Sequence, residues 1–157
     1  MSKPFFIISL FLMLTCSVVA SAEEQKIKVK GPITITSATL TADNKSHTAL
    51  FEGRVIAKTA EMTIYSDKML VFYNEGTGDV TKIEATGNVR LVKGTRIVTS
   101  QNATYYADED KVVFTGDPRA LDGENVVTGS VMTYFIGDDR SYVEKSKVIM
   151  KNKKDIR

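Results

Sequence analysis

Phe51-Glu52-Gly53-Arg54-Val55-Ile56-Ala57-Lys58 alternates apolar or small residues with polar ones, and Thr86-Gly87-Asn88-Val89-Arg90-Leu91 and Ile33-Thr34-Ile35-Thr36 do the same. A period of two sets successive side chains on opposite faces of a strand, so each segment turns one face to a core and the other to water. Threonine, valine, isoleucine and tyrosine, which suit a pleated and half-buried surface, are abundant in these runs. Between them lie Asp43-Asn44-Lys45, Asn74-Glu75-Gly76-Thr77-Gly78-Asp79, Asp108-Glu109-Asp110, Asp122-Gly123-Glu124-Asn125 and Gly137-Asp138-Asp139. These residues tolerate positive φ or bond to their own backbone, so they read as turns. No amphipathic helical pattern follows the N-terminal apolar stretch. The expected class is all-β, a sandwich or barrel of antiparallel strands.

The chain also repeats. Ile35-Thr36-Ser37, Ile64-Tyr65-Ser66, Val98-Thr99-Ser100 and Val127-Thr128-Gly129 begin four similar segments, at offsets of 29, 34 and 29 residues. Three positions beyond each Ser or Gly stands Leu40, Met69, Ala103 or Met132, and five beyond stands Ala42, Val71, Tyr105 or Tyr134. Both columns are apolar. Farther along, Phe51-Glu52-Gly53, Ala85-Thr86-Gly87 and Phe114-Thr115-Gly116 recur, with Val143-Glu144-Lys145 in the matching place of the last unit. The longer second unit carries its extra residues around Asn74 to Asp79, where a turn absorbs them. The pattern is one strand-turn-strand unit used four times. Such a unit cannot bury its apolar face alone, so neighbours stack in order and the end units differ.

At the N-terminus, Lys3 precedes an unbroken apolar stretch from Phe5 to Leu14, and Ala20-Ser21-Ala22 offers small residues before the polar Glu23-Glu24-Gln25-Lys26. This is the layout of a signal peptide, with cleavage expected after Ala22. A spanning helix needs about 20 apolar residues, more than this core supplies. A lipoprotein signal at Cys16 fits less well, because Thr15 precedes it. The expected organisation is a signal peptide over 1–22, one β domain over 23–150 and a basic tail over 151–157.

Removing Lys3 leaves 20 basic against 19 acidic residues, with no strongly basic face to suggest nucleic acid. The mature chain has no cysteine, hence no disulfide, thiolate nucleophile or cysteine metal site. His47, the single histidine, lies in a turn composition, so neither a catalytic triad nor a histidine metal cluster can be assembled. Asp108-Glu109-Asp110 and Asp138-Asp139 lack the spaced ligands and glycine of a calcium loop and fall at hairpin turns. The glycines are scattered, with no phosphate-binding loop. No enzyme activity, metal or cofactor is expected.

Pro32-Ile33-Thr34-Ile35-Thr36-Ser37, the Phe-x-Gly-x-Val element at Phe51 to Val55, Ala85-Thr86-Gly87-Asn88-Val89, Val112-Val113-Phe114-Thr115-Gly116 and Val126-Val127-Thr128-Gly129, in this order and behind a signal peptide, resemble the LptA/OstA-like family of lipopolysaccharide-export proteins. The resemblance runs from about Ile33 to Met150. It implies a twisted, open β-jelly roll in the periplasm whose two sheets gape around a hydrophobic groove for lipid A acyl chains. It implies head-to-tail oligomers through terminal strands, bridging an inner-membrane export complex and an outer-membrane translocon. The groove lining it suggests is the set of inward columns. These are Ile33, Ile35, Leu40, Phe51 and Val55, then Ile64, Met69, Val71, Val89 and Leu91, and finally Val98, Tyr105, Phe114, Val127, Met132 and Tyr134. Ile33, Ile35 and Tyr105 carry over first.

By alternation alone those columns are what any buried face displays. The residues themselves therefore leave three classes open: a lipid-transport bridge, a closed carrier of a small lipid, and a scaffold that polymerises by strand addition. The opening strand, near Ile27 to Ile35, and the closing strand, Tyr142 to Met150, are the edges expected to recruit further strands.

Overall fold

The computed structural model describes residues 32–151. The expected cleavage point, residues 27–31 of the opening strand and all but Lys151 of the basic tail lie outside them. Twelve strands follow: β1 (Thr34–Thr36), β2 (Thr39–Asp43), β3 (Thr48–Lys58), β4 (Thr63–Tyr73), β5 (Val80–Lys93), β6 (Arg96–Tyr106), β7 (Lys111–Thr115), β8 (Arg119–Asp122), β9 (Asn125–Thr128), β10 (Val131–Phe135), β11 (Arg140–Glu144) and β12 (Lys147–Ile149). Every pairing is antiparallel, and the turn compositions fall between strands as expected.

The four long strands each belong to two layers. Layer one contains β2, β3 up to Glu52, β4 from Lys68, β5 up to Thr86, β6 from Asn102, β7, β10 and β11. Layer two contains β1, β3 from Val55, β4 up to Tyr65, β5 from Val89, β6 up to Ser100, β8, β9 and β12. Strand order in each layer follows chain order, and the path from β1 to β11 does not close. Each repeat of the sequence crosses from layer two to layer one at Ser37, Ser66, Ser100 or Gly129, and returns one strand later.

The return crossing explains the repeated glycines. The ladder register breaks between Glu52 and Val55 and again between Thr86 and Val89. There Gly53 and Arg54 take φ of +84° and +48°, Gly87 and Asn88 +79° and +48°, and Gly116 and Asp117 +76° and +55°. Two left-handed residues in succession turn a strand sharply, as a bulge does. Each glycine also backs onto the outgoing crossing: a Cβ at Gly53 would lie 2.7 Å from the Ala38 Cβ, and one at Gly116 2.6 Å from the Gln101 Cβ. In the fourth unit Lys145 itself turns left-handed, at φ +48°. The small residue has moved to the facing chain, where a Cβ at Gly129 would lie 2.5 Å from the Glu144 carbonyl oxygen. The closing segment is therefore two strands, not the single run Tyr142 to Met150. β11 ends at Glu144 in layer one, and β12 pairs with β9 in layer two.

The layers bury one core. Val55, Ala57, Val89 and Leu91 come to it from layer two, and Met69, Val71, Ala85, Ala103, Val112, Phe114 and Met132 from layer one. On the outer face of layer one, Phe72, Lys82, Tyr106, Lys111, Phe135 and Arg140 stand in register on successive strands. Lys82 lies 4.1 Å from the Phe72 ring centre, Lys111 5.1 Å from that of Tyr106 and Arg140 4.5 Å from that of Phe135. Each cation covers an outward aromatic ring that would otherwise face water.

Two substitutions test this account by urea unfolding. Phe114→Ala should lower the unfolding free energy by about 3–5 kcal/mol, and Phe51→Ala, whose ring is only half-buried, by distinctly less. Gly116→Ala should be more destabilising than Gly123→Ala, by about 1 kcal/mol or more. Both have positive φ, but a Cβ at Gly123 meets nothing within 4 Å. Equal losses would remove the packing argument for the corner.

Candidate functional site

The inner faces of the layers hold nearly all of the columns read from the sequence. Val55, Met69, Val71, Val89, Leu91, Phe114 and Met132 are fully buried in the core, and Ile35, Phe51, Ile64, Val98, Tyr105, Val127 and Tyr134 pack half-buried against it. Ile33 is half-buried just before β1. Leu40 pairs with Phe51 on the same face but is 58% exposed. Its strand, β2, is the edge of layer one, and among the described residues nothing from layer two covers it.

An apolar cleft lies between the layers. Layer two and the loop after β3 contribute Ile33, Ala57, Thr59, Met62 and Ile64; layer one and the turn after β10 contribute Met69, Ile83, Ala85, Ala103, Tyr105, Val112 and Ile136. Of the expected lining, the cleft gathers Ile33, Ile64, Met69 and Tyr105 and leaves the rest to the core or to the inner faces beyond. Ala57, Met62, Ile83 and Ile136 were not anticipated. Ile83 had a signal: it precedes Ala85 by two, as Val112 precedes Phe114. Met62 and Ile136 sit in connections, where alternation is silent. The free volume of the cleft is about 50 Å³. It is well below the roughly 300–1,000 Å³ of small-molecule pockets.

Polar groups line the lip. The Tyr105 hydroxyl donates to Asp110 Oδ1 at 3.3 Å. Burial, with the Asp110 carboxylate beside it, pushes the Tyr105 phenol up to about 12. Burial likewise raises the Asp110 carboxyl above its ordinary value. Asp110 Oδ2 is buried without a well-formed partner, though the Gly137 amide is near enough to offset part of that effect.

A second group spans the two rims. Lys93 Nζ, at the end of β5, donates to the Tyr134 hydroxyl at 2.6 Å, and that hydroxyl donates to Asp139 Oδ1 at 2.7 Å. Arg96, opening β6, donates to both Asp139 oxygens at 3.0 Å and meets Asp122 Oδ2 at 3.2 Å. Glu61 Oε2 stands 3.8 Å from Lys93 Nζ. The Tyr134 hydrogen bond first, and Arg96 next, hold the Asp139 carboxyl down at about 2. A depressed carboxyl stabilises the fold above its unfolded value of 3.8, and that contribution disappears only as pH falls through about 2. The Lys93 ammonium is raised, chiefly by the Tyr134 bond. Lys93, Arg96 and Asp139 therefore stay ionised at any physiological pH. Tyr134 was expected only as an inward ring; Lys93, Arg96 and Asp139 were not expected at all. His47 lies elsewhere, edge-on to Tyr73 and 3.6 Å from Glu75 in a turn.

Among solved structures, that of LptH, the LptA homologous periplasmic component of the conserved lipopolysaccharide transport device from Pseudomonas aeruginosa, matches with a TM-score of 0.71. The match covers 80% of this chain and 99% of that one at 10% identity, a likeness of fold. No curated protein matches the sequence. The family model described as LptA/(LptD N-terminal domain) LPS transport protein matches residues 34–140. That stretch begins with β1 and ends at the first residue of β11, so it takes in every crossing between the layers but the last, at Lys145, and on it the chain belongs to the LptA/(LptD N-terminal domain) family of LPS transport proteins.

Proposed function

We propose that this protein carries lipopolysaccharide across the periplasm, from an inner-membrane export complex toward an outer-membrane translocon, with acyl chains between the layers and sugars in water. The observation that carries the reading is the apolar cleft between the open layers of a chain in an LPS-transport family. Apolar area kept from water is worth about 25 cal/mol per Å², and a jelly roll with an uncapped interior supplies such a path along its length. Because the cleft now admits only about 50 Å³, loading requires the layers to part. No covalent step and no cofactor enters this reading.

The edges support a head-to-tail filament. β1 and β2 at one end, and β11 and β12 at the other, have no further strand beside them among the described residues. At the second end Tyr142, Val148, Ile149 and Met150 are exposed. Unpaired edges recruit strands, and unlike edges meeting make an open assembly, not a closed dimer. The nearly filled interior favours one second reading, a scaffold that joins end to end without cargo.

Lipid loading separates the two. Delipidated protein mixed with lipopolysaccharide should co-elute with it, and a photo-reactive residue at Ile33 or Tyr105 should capture it, whereas one at the outward Glu52 or Arg90 should not. Equal labelling at all four, or no co-elution, would leave the scaffold. For the filament, mass by light scattering should rise with concentration in the full chain, and deleting residues 147–157, which removes β12, should suppress the rise. A discrete dimer or a constant monomer would end the filament model.

A further inference from the structure

The cleft and the polar group beside it are built from the same two connections. The loop after β3 gives Met62 to the cleft and Glu61 to the polar group; the turn after β10 gives Ile136 to the cleft and Asp139 to the polar group. Layers that part at the cleft must therefore pull Lys93 and Arg96 away from Tyr134 and Asp139.

We infer that Lys93, Arg96, Tyr134 and Asp139 form a releasable clasp that holds the cleft shut, so that entry of an acyl chain is gated by breaking it. The inference rests on the reading of the cleft as the lipid's path. The side chains of Arg96 and Asp139 are about half exposed, at 49% and 51%. Wet ion pairs of this kind are individually weak and break readily, as a gate must, whereas a buried pair would lock the rims. Three carboxylates, from Glu61, Asp122 and Asp139, face the two cations. The closed group is thus no anion site in its own right, and its cations are occupied within the chain. Tyr134 couples the clasp to the interior, since its ring packs against the core while its hydroxyl bonds both Lys93 and Asp139.

Two variants weaken the clasp while suiting the local backbone and packing. Asp139→Gly suits the positive φ of +48° at that position, and Tyr134→Phe keeps the packed ring. Glu52→Gln serves as control, removing the Lys68–Glu52 pair that joins neighbouring strands of layer one. Uptake of N-phenyl-1-naphthylamine, an uncharged fluorophore that brightens on leaving water, is followed by stopped flow. The lost charge of Asp139→Gly does not itself attract this probe. Both clasp variants should take it up about tenfold faster than wild type, Tyr134→Phe losing the contacts of the hydroxyl with Lys93 and Asp139 and Asp139→Gly those of the carboxylate with Lys93, Arg96 and Tyr134, and Glu52→Gln should match wild type. Hydrogen exchange at the backbone amides of residues 93–96 and 134–139 should rise in the same two variants. Wild-type rates of uptake in both variants, or no uptake by any form of the protein, would overturn the gate. Faster uptake by the variants, with wild type failing to co-elute with lipopolysaccharide, would leave the clasp standing and remove the lipid path.

Discussion

A pair of left-handed residues, the first of them glycine, brings β3 and β5 back from layer one to layer two, and the same pair carries β7 into β8. The glycine sits where the facing chain leaves no room for a Cβ, so the crossing is fixed both by torsion and by contact. Everything else hangs on these corners. They decide that a long strand serves two layers, that the layers share one core, and that the cleft lies between them. Asn88 shows how the second residue of a pair can add to the corner, its amide donating to Asp67 Oδ2 at 2.8 Å. Asparagine and aspartate tolerate left-handed backbone better than most side chains, which suits Asn88 and Asp117 to these positions.

The interior answers two demands that oppose one another. A stable sandwich wants its core filled to the density of an organic crystal, and the lipid path proposed above wants space. Phe114, Val55 and Val89 are fully buried in the core. The cleft lining joins buried Met62, Met69 and Val112 to half-buried Ile33, Ile64 and Tyr105, and methionine is a side chain that repacks around irregular occupants. In the proposed gate, the weak polar contacts across the rims set how readily the layers part.

Alternation made the all-β class and the inward columns legible, because a buried face must repeat every second residue. It concealed the corners. Ile64 and Met69 are five positions apart, an odd number that strict alternation would place on opposite faces, yet both line the cleft. Asp67 lies between them at a crossing, where the strand passes to the other layer and the phase resets. Leu40 was legible as an inner-face residue but not as an edge one, since exposure depends on what the opposite layer covers. The contacts of Lys93 with Tyr134 and of Arg96 with Asp139 join residues 41 and 43 positions apart, and no local pattern encodes such a meeting. The repeated glycines were visible as a column, and their reason came only with the facing chain.

Since a complete unit leaves layer two, visits layer one and returns, the roll can change length only by whole units; half a unit would strand the chain on the wrong side. Each unit adds two strands to each layer, and strands lie about 4.8 Å apart, so a unit is worth roughly 10 Å of path. The protein is in effect a ruler with four divisions. Its bore is set by the corners and its span by the count, and a lineage could lengthen or shorten the span by duplication or loss of some thirty residues without redesigning the cross-section.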